Sequence, residues 1–414
     1  MAGEMGFPPS LGNRSGGNPI SPGQEPPFTA EHEPLRAEIR AFVERELRPH
    51  ADEWEADRWF PNEVFEKLAA AGLLGLKYPV EYGGRGGDYL GDAILIEELS
   101  RCGSGGVAAG VGAHVNIATP PIFKFGTEEQ KQRFLVPGIR GEKIAALGIT
   151  EPGTGSDVAG IRTTAKRVDT RSGTGGGWVV NGSKTFITGG VRADVVVTAV
   201  KTSAEGGHGG LSFLLIEKGM EGFTISKKLE KLGWHASDTA ELAFQDVFVP
   251  EENLLGEENK GFYLIMANFQ WERIAMSLGA VAAMGRLLDQ SIAYASEREQ
   301  FGRPIGKFQA IRHKIAGMAV KYEASRALTY QALRLFHDGH DAIREVSMAK
   351  LLSQRAACEV ADDALQIHGG AGYVDSIPGV SSSIQRAVRD LRLGPIGGGT
   401  DEVMKEILGR QLGL

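Results

Sequence analysis

The sequence predicts an α+β multidomain protein with an amino-terminal helical domain, a middle β-domain and a carboxy-terminal bundle of long helices. Two observations predict this order. Apolar residues recur at helical spacing over residues 29–141, alternate at strand spacing over 142–250 and return to helical spacing over 251–414. A chain of 414 residues is also long enough for two or three domains. Residues 1–28, rich in Gly, Pro and Ser, are predicted to form a disordered tail.

Composition and charge exclude several classes of protein. Hydrophobic residues make up 42% and charged residues 23%, as in ordinary globular proteins. The net charge of −7 argues against a nucleic-acid-binding protein. Two cysteines, Cys102 and Cys358, are too few for a disulfide framework or a four-thiolate metal site, and no metal site is predicted. Because no apolar run approaches the ~20 residues that span a bilayer and no signal-peptide pattern is present, we expect a cytoplasmic protein without a membrane span.

The first domain shows the spacing of amphipathic helices. In the segment EPLRAEIRAFVERELRPHADEWE, apolar residues three and four positions apart define one helix face: Leu35, Ile39, Phe42, Val43 and Leu47. Two later helices are expected to stop at Gly72 and Gly103, since glycine is common just beyond helix ends. Thr127 is expected to cap a further short helix.

The other two domains follow from strand and helix spacing. The stretch GWVVNGSKTFITGG predicts two strands around an Asn181-Gly182 hairpin turn, and ADVVVTAV and LSFLLIEK predict two more strands. Beyond them, three periodic segments of at least 25 residues predict long helices packed side by side, as in a four-helix bundle. We expect the two helical domains to pack on opposite sides of the β-domain.

A glycine-rich segment of the middle domain is the first candidate binding element. It has the sequence ALGITEPGTGSDVAG over residues 146–160. Backbone N–H groups and hydroxyls in such a bend can hold a phosphate or the polar edge of a ring. A tight turn without a ligand explains the same residues equally well. The glycine spacing matches neither a dinucleotide-binding fingerprint nor a P-loop.

This segment resembles the signature of the acyl-CoA dehydrogenase flavoprotein family, and four other stretches resemble that family in the same order. They are VEYGGRGG (80–87), TFITGG (185–190), SEREQFGRPIGKFQAI (296–311) and the run from LQIHGGAGYV to IGGGTDEVMKEILGR (365–410). The resemblance extends from Thr29 to Gln411. It implies a helical, β, helical fold and FAD-dependent α,β-dehydrogenation of a fatty or branched acyl-CoA thioester to the trans-2-enoyl-CoA. It also implies that the electrons pass to an electron-transfer flavoprotein.

The position of the catalytic base departs from the pattern of many family members. They carry it in a Tyr-Glu-Gly-Thr motif, whereas this sequence has GGGT at 397–400. A subset that includes long-chain and isovaleryl-CoA dehydrogenases places the base in a Glu-Arg pair on a helix, which matches Glu272 and Arg273 here. The resemblance therefore implies that Glu272 is the base. The alternative is an ordinary solvated glutamate on a helix surface.

Helical spacing adds to this prediction. The residues three, four and seven positions from Glu272 include no cation: Ile265, Asn268, Phe269, Ala275, Met276 and Gly279. Such a face predicts burial of the carboxyl and a raised pKa. Arg273 lies about 100° further around the helix, so we expect it to order the site rather than to pair with Glu272.

The remaining site residues follow from the resemblance. Residues predicted to line the flavin are Leu147, Ile149, Thr150, Ser156, Phe186 and Thr188. A homotetramer is expected, because the adenine half would be held by a neighbouring subunit through Arg298, Phe301, Gln309, Gln366, Gly369 and Gly370. The predicted substrate-binding residues are Ser156, Arg273, Gly398 and Gly399. Thr400 and Glu402 are predicted either to bind the cofactor or to cap the last helix.

The sequence leaves several points open. Gly398 is expected to leave volume beside the thioester, which favours long or methyl-branched acyl groups. His368 is expected to be a packed histidine, and the sequence does not decide whether Trp271 lines the acyl pocket or lies in the core. An acyl-CoA oxidase or a flavin monooxygenase of the same fold is an alternative, although the monooxygenase relatives lack a carboxylate base. A catalytically silent flavin or acyl-CoA binding protein has Gly398 as its one support.

Overall fold

The structure is a computed structural model that describes residues 27–169, 175–203, 209–375 and 382–414. Most of the predicted tail, residues 1–26, lies outside the described residues. The predicted end of the tail at residue 28 needs correction, because the Phe28 side chain is buried and its ring packs edge-on against Tyr330 at 5.2 Å between centroids. A large apolar ring is stabilised by such burial, so Phe28 belongs to the folded core.

The amino-terminal part is helical, as predicted. Its α-helices are α1 (Glu33–Phe42), α2 (Ala51–Asp57), α3 (Glu63–Ala70), α4 (Tyr89–Leu99), α5 (Gly105–Gly112), α6 (Thr119–Phe125), α7 (Glu128–Gln130) and α8 (Val136–Ile139). Three π-helical turns lie between them, at Val43–Leu47, Ala113–Ala118 and Lys131–Leu135. Thr127 and Gln130 form a reciprocal capping box at the start of α7. Gly72 and Gly103 adopt positive φ just beyond helix ends, which glycine does without strain.

The middle part forms one sheet within the described ranges. Its strands are β1 (Ala145–Gly148), β2 (Thr164–Val168), β3 (Gly177–Thr188), β4 (Val195–Lys201), β5 (Leu211–Glu217), β6 (Phe223–Lys228), β7 (Thr239–Pro250) and β8 (Leu254–Leu255). The strand order is β6-β7-β3-β2-β4-β5-β8, with β1 paired to β4. β4 runs parallel to β1 and β2, and the other neighbours are antiparallel. β4 and β5 are buried over nearly their whole length, as expected for strands covered on both faces.

The predicted Asn181-Gly182 hairpin is wrong, because β3 is one continuous strand of 12 residues. It pairs with β2 on one side and with β7 on the other, so its two halves do not pair with each other. The pairing with β7 is irregular at this point. There the Asn181 side chain donates to the Asp246 carboxylate and accepts from the Asp246 backbone N–H, both at 2.9 Å. Asn181 and Gly182 thus lie at a β-bulge in the pairing with β7, and glycine is common at bulges as well as at hairpin turns.

The carboxy-terminal part contains the predicted long helices. They are α9 (Gly261–Glu297), α10 (Gln309–His337) and α11 (Ile343–His368), followed by the shorter α12 (Gly370–Tyr373), α13 (Ser383–Leu391) and α14 (Asp401–Gln411). A small antiparallel pair, β9 (Glu299–Gln300) and β10 (Arg303–Pro304), connects α9 to α10. None of the helices that the structure describes is both long and apolar enough to cross a membrane.

α9 contributes to three hydrophobic cores. Ile265 packs with β4 and β5, Trp271 packs with the amino-terminal helices, and Met284 packs within the bundle. A hydrogen bond of 2.7 Å from the Tyr330 hydroxyl on α10 to the buried Glu97 on α4 also joins the two helical parts. The two helical parts therefore share a core, and the prediction that they lie on opposite sides of the β-domain is wrong. A helix that is apolar on all sides is buried on all sides.

Candidate active site

The carboxyl group of Glu272 is buried on α9. The residue is 6% exposed, and Asn268, one helical turn earlier, donates a hydrogen bond to its Oε1 at 2.5 Å. Burial raises the pKa of Glu272 to about 7, and the Asn268 hydrogen bond and the Arg273 charge oppose this shift only in part. The predicted burial and raised pKa are confirmed, and the solvated alternative is wrong. A carboxyl with this pKa is suited to accept a proton near neutral pH.

Two buried cations hold the glycine loop, which we define as residues 394–400. Arg273 Nε donates to the Gly398 carbonyl at 3.3 Å. Lys350, on α11, is fully buried. Its Nζ donates to the Gly394 carbonyl at 2.8 Å and to the Gly399 carbonyl at 2.5 Å. Burial lowers the pKa of Lys350 to about 8. Arg273 thus holds the loop, and its predicted roles in ordering the site and binding substrate stay predictions.

Two adjacent glycines of the loop each leave a backbone donor free. Gly398 and Gly399 have positive φ, at 63° and 95°. Neither backbone N–H donates to an acceptor within the part of the chain that the structure describes. Free N–H groups on a loop held by cations can stabilise negative charge that develops on an oxygen.

The volume next to Gly398 is filled, contrary to the expectation that the glycine leaves it vacant. A Cβ at position 398 would overlap the sulfur of Met276, which lies one helical turn after Glu272. A Cβ at Gly399 would lie 2.8 Å from the end of the Met404 side chain. The flexible thioether of methionine suits it to fill such a gap. The argument for long or branched acyl groups from an empty space at Gly398 therefore fails.

A buried ion pair anchors the glycine-rich segment of the β-domain. The Glu151 carboxylate accepts hydrogen bonds from Lys184 Nζ at 2.8 Å and from the backbone N–H groups of Arg162 and Thr163 at 2.7 and 2.9 Å. Lys184 also donates to the Ile149 carbonyl at 3.0 Å. Burial lowers the pKa of Lys184 to about 8. Burial also acts to raise the pKa of Glu151, but the Lys184 charge and the hydrogen bonds to the carboxylate together outweigh it, so the pKa of Glu151 is lowered. This pair fixes the segment to β3.

A backbone hydrogen bond joins β3 to the segment that follows β1, and both segments carry predicted flavin residues. Thr185 N–H donates to the Thr150 carbonyl at 2.8 Å. The pairing of β3 with β7 shifts register around Phe186, which takes a φ of 61° and is 68% exposed. A positive φ is rare for an aromatic residue and is typical of functional positions. Thr188, the last residue of β3, is partly buried.

The surface beside these strands is open. A Cβ added at Gly153 or Gly155 would meet no atom within 4 Å, and Ser156 is exposed. Leu147 is partly buried and Ile149 is buried. The open glycine-rich turn and the exposed ring of β3 therefore lie on connected segments.

The residues predicted to contact the adenine half through a neighbouring subunit lie on the surface. All are exposed: Arg298, Phe301, Gln309, Gln366, Gly369 and Gly370. Phe301 is 93% exposed and has a φ of 50°. The Tyr294 ring stacks on His368 at 4.3 Å between centroids, which brings the ends of α9 and α11 together. The contact of the six exposed residues with another subunit stays a prediction.

The capping interpretation is confirmed for Thr400. Its Oγ1 accepts the Val403 N–H at 3.3 Å at the start of α14. Glu402 is exposed in the first turn, where backbone N–H groups lower the pKa of its carboxyl. A role of either residue in cofactor binding stays a prediction.

Three protein-family models match the chain in order. They are described as the acyl-CoA dehydrogenase N-terminal domain (residues 29–142), middle domain (146–247) and C-terminal domain (259–413). The isovaleryl-CoA dehydrogenase, mitochondrial, of Solanum tuberosum is 38% identical, covering 93% of this chain and 91% of the relative. The long-chain specific acyl-CoA dehydrogenase, mitochondrial, of Mus musculus is also 38% identical, covering 93% of this chain and 87% of the relative.

Solved structures are also similar over nearly the whole chain. A probable acyl-CoA dehydrogenase from Mycobacterium abscessus has a TM-score of 0.88 at 43% identity, covering 93% of this chain and 99% of that one. A structure described as the electron transferring flavoprotein of Acidaminococcus fermentans has a TM-score of 0.87 at 37% identity, covering 94% and 99%. An FAD complex of PigA has a TM-score of 0.87 at 29% identity, covering 94% and 100%.

The chain belongs to the acyl-CoA dehydrogenase family. It is an oxidoreductase that acts on CH–CH groups, as its named relatives are. Members of this family are flavoproteins, and the residues present fit a flavin. The open turn at Gly153 and Gly155 would admit a close backbone approach, and Phe186 offers an exposed ring on the strand that is hydrogen-bonded to the same segment.

Other side chains of this acyl-CoA dehydrogenase are explained by packing. His114 Nδ1 accepts the Ala145 N–H at 3.0 Å and its Nε2 donates to a backbone carbonyl, while burial lowers its pKa to about 4. His368 Nδ1 donates to the Ala364 carbonyl at 2.8 Å, so the packed interpretation is confirmed. Trp271 packs against aromatic rings in the core. Within the described ranges, no group of three or more His, Cys, Asp or Glu side chains forms a metal site.

Sequence reasoning missed the contacts of five side chains that shape the site. Asn268 and Met276 were identifiable as helix neighbours of Glu272, but their contacts were not. The partners of Lys350 and of the Glu151–Lys184 pair could not be predicted, because they lie far away in sequence. A charged residue within an apolar helix segment, such as Lys350 between Ala349 and Leu351, is the sign that could have identified one of them.

Proposed function

We propose that this acyl-CoA dehydrogenase oxidises a fatty or branched acyl-CoA thioester to the trans-2-enoyl-CoA with Glu272 as the base. The observation that carries the proposal is a buried carboxyl whose pKa is about 7, on the helix that also contacts the glycine loop. Deprotonated Glu272 accepts the α-proton of the substrate. Bound FAD supplies the acceptor for the β-hydrogen, which leaves as hydride.

The glycine loop supports the proton transfer. As the α-proton leaves, negative charge develops on the thioester oxygen, and the free N–H groups of Gly398 and Gly399 are the donors that we assign to it. Arg273 holds the loop through the Gly398 carbonyl, and Lys350 holds it through Gly399. Both cations are buried, so the loop is held from its protein side.

For the cofactor, we propose FAD. The flavin-lining residues would be Leu147, Ile149, Thr150, Ser156, Phe186 and Thr188. Arg298 and the other exposed residues at that end of the bundle, with Thr400 and Glu402 as further candidates, would hold the adenine and diphosphate half from a neighbouring subunit, which requires an oligomer. Arginine suits a diphosphate because its guanidinium is planar and always charged. A homotetramer remains the expected assembly.

Partner, substrate and location are proposed from the relatives. We propose an electron-transfer flavoprotein as the electron acceptor. The named relatives act on isovaleryl-CoA and long-chain acyl-CoA, so both substrate types are candidates. A cytoplasmic location stays a prediction, and the plant and mouse relatives are described as mitochondrial.

Glu272→Gln tests the proposal. The variant keeps the volume of the side chain and removes its basicity, so it should bind FAD normally. Anaerobic addition of isovaleryl-CoA or palmitoyl-CoA should bleach the visible absorption of the oxidised flavin in the wild type and leave the variant unchanged. Exposed Glu129→Gln is the matched control and should bleach like the wild type. Bleaching of Glu272→Gln at the wild-type rate would show that another group is the base.

A further inference from the structure

We infer that Asn268 is a positioning residue for Glu272, which fixes the carboxylate oxygen that faces the substrate and favours the charged form of the base. The inference rests on the proposed role of Glu272. Asn268 lies one helical turn before Glu272 and is itself buried. Its Nδ2 donates to Glu272 Oε1 at 2.5 Å and to the Ile117 carbonyl at 3.2 Å.

The orientation of the Asn268 amide follows from its two neighbours. An ionised carboxylate and a backbone carbonyl can only accept hydrogen bonds. If the amide were turned over, its Oδ1 would face two oxygens and both hydrogen bonds would be lost. The Ile117 carbonyl therefore keeps the N–H groups of Asn268 directed at Glu272.

A proline makes the Ile117 carbonyl available. In an α-helix this carbonyl would accept the N–H of the residue four positions later. That residue is Pro121, which has no N–H. Ile117 also lies in the π-helical turn Ala113–Ala118, and such turns are frequent at functional sites. Asn268 thus donates to a carbonyl that cannot have its α-helical partner.

Two consequences follow for Glu272. Since Oε1 accepts from Asn268, Oε2 is the oxygen left to take the α-proton. The hydrogen bond also lowers the pKa of Glu272 against the larger effect of burial. Among the described residues, Arg273 is the one charged group that acts on this carboxyl; no charge on α4, α6, the glycine loop or the β-domain does so.

Asn268→Leu tests the inference, because leucine has a similar volume and no donor. A hydrogen bond to a charged group is strong enough that its loss should raise the apparent pKa of the kcat/KM profile by about one to two pH units. With isovaleryl-CoA, activity at pH 7 should fall by about tenfold and recover at alkaline pH, with little change in KM for the recovered enzyme. Asn268→Asp is a second isosteric variant, and its added carboxylate should raise the same pKa.

A second readout needs no turnover. The infrared carbonyl band of protonated Glu272 can be followed as a function of pH in the purified holoprotein, with Glu272→Gln as the blank. The band should persist to higher pH in both Asn268 variants. Asn253→Leu is the matched control, since Asn253 is a buried asparagine of another segment that donates to the Leu215 carbonyl at 2.6 Å. It should reduce stability without moving either titration.

The outcomes separate this inference from the proposed function. If Asn268→Leu and Asn268→Asp fold, bind flavin and titrate at the wild-type pH, Asn268 does not tune the base and the inference is overturned. If substrate still bleaches the flavin of Glu272→Gln, Glu272 is not the base, and the proposed function is contradicted whatever the Asn268 variants do. An inactive Glu272→Gln together with a raised titration in the Asn268 variants supports both.

Discussion

Replacing Gly398 by alanine should destabilise the protein through two separable effects. The φ of 63° is unfavourable for any residue with a Cβ, at a cost of about 1–2 kcal/mol. The new Cβ would also overlap the Met276 sulfur, and displacing that side chain should cost about 1–3 kcal/mol more. We therefore expect a total loss of about 2–5 kcal/mol in the free energy of unfolding.

A double-mutant cycle isolates the overlap. Met276→Ala removes the sulfur, so Gly398→Ala should cost about 1–3 kcal/mol less in that background than in the wild type. Gly339→Ala is the matched control, because Gly339 has a φ of 77° and a Cβ there would meet no atom within 4 Å. Urea unfolding of the wild type, the two single variants, the double variant and the control gives the free energy of unfolding of each protein. Additive costs in the cycle, or equal costs for Gly398→Ala and Gly339→Ala, would refute the filled volume at Gly398.

Two further predictions concern buried charges. The folded-state pKa of Glu272 lies above that of a free carboxyl, so its stabilising contribution is complete below about pH 4.5 and is lost as the pH rises through about 7. Glu272→Gln should therefore gain about 3 kcal/mol of stability relative to the wild type between pH 4 and pH 8; a constant difference in urea unfolding across this range would contradict it. Glu151→Gln should weaken FAD binding by about tenfold or more, because the loss of a buried partner leaves Lys184 uncompensated and loosens the segment at Ile149. Fluorescence of released FAD measures this, and an affinity equal to that of Glu129→Gln would rule it out.

The sequence allowed prediction of those features that depend on neighbours along the chain. The burial of Glu272 followed from helical spacing, because the residues three and four positions away are uncharged. The capping box at Thr127 and the glycine at the end of α3 followed from local backbone requirements. The three long helices followed from periodicity alone, since their segments are too long for strands.

Features that depend on distant partners could not be predicted in this way. The Asn-Gly pair at 181–182 suits both a hairpin turn and a bulge, and only the pairing of β3 with β7 decides between them. The space beside Gly398 looked empty because the sequence does not show that Met276 points into it. Lys350 and the Ile117 carbonyl have partners 49 and 151 positions away. Periodicity predicts which face of each helix is buried, but it does not predict which other helix or strand packs against that face.

The geometry gives a physical reason why a base can be carried either by the loop or by the helix in this fold. The Cβ direction of Gly398 points at Met276, and Arg273 donates to the carbonyl of the same glycine, so the loop and one turn of α9 border a common volume. A carboxyl at position 398 would have to enter the volume that Met276 fills. A second carboxyl would meet both steric overlap and the repulsion of two buried negative charges. A helix-borne glutamate at 272 is therefore compatible with the small uncharged residue that the GGGT sequence has at 398.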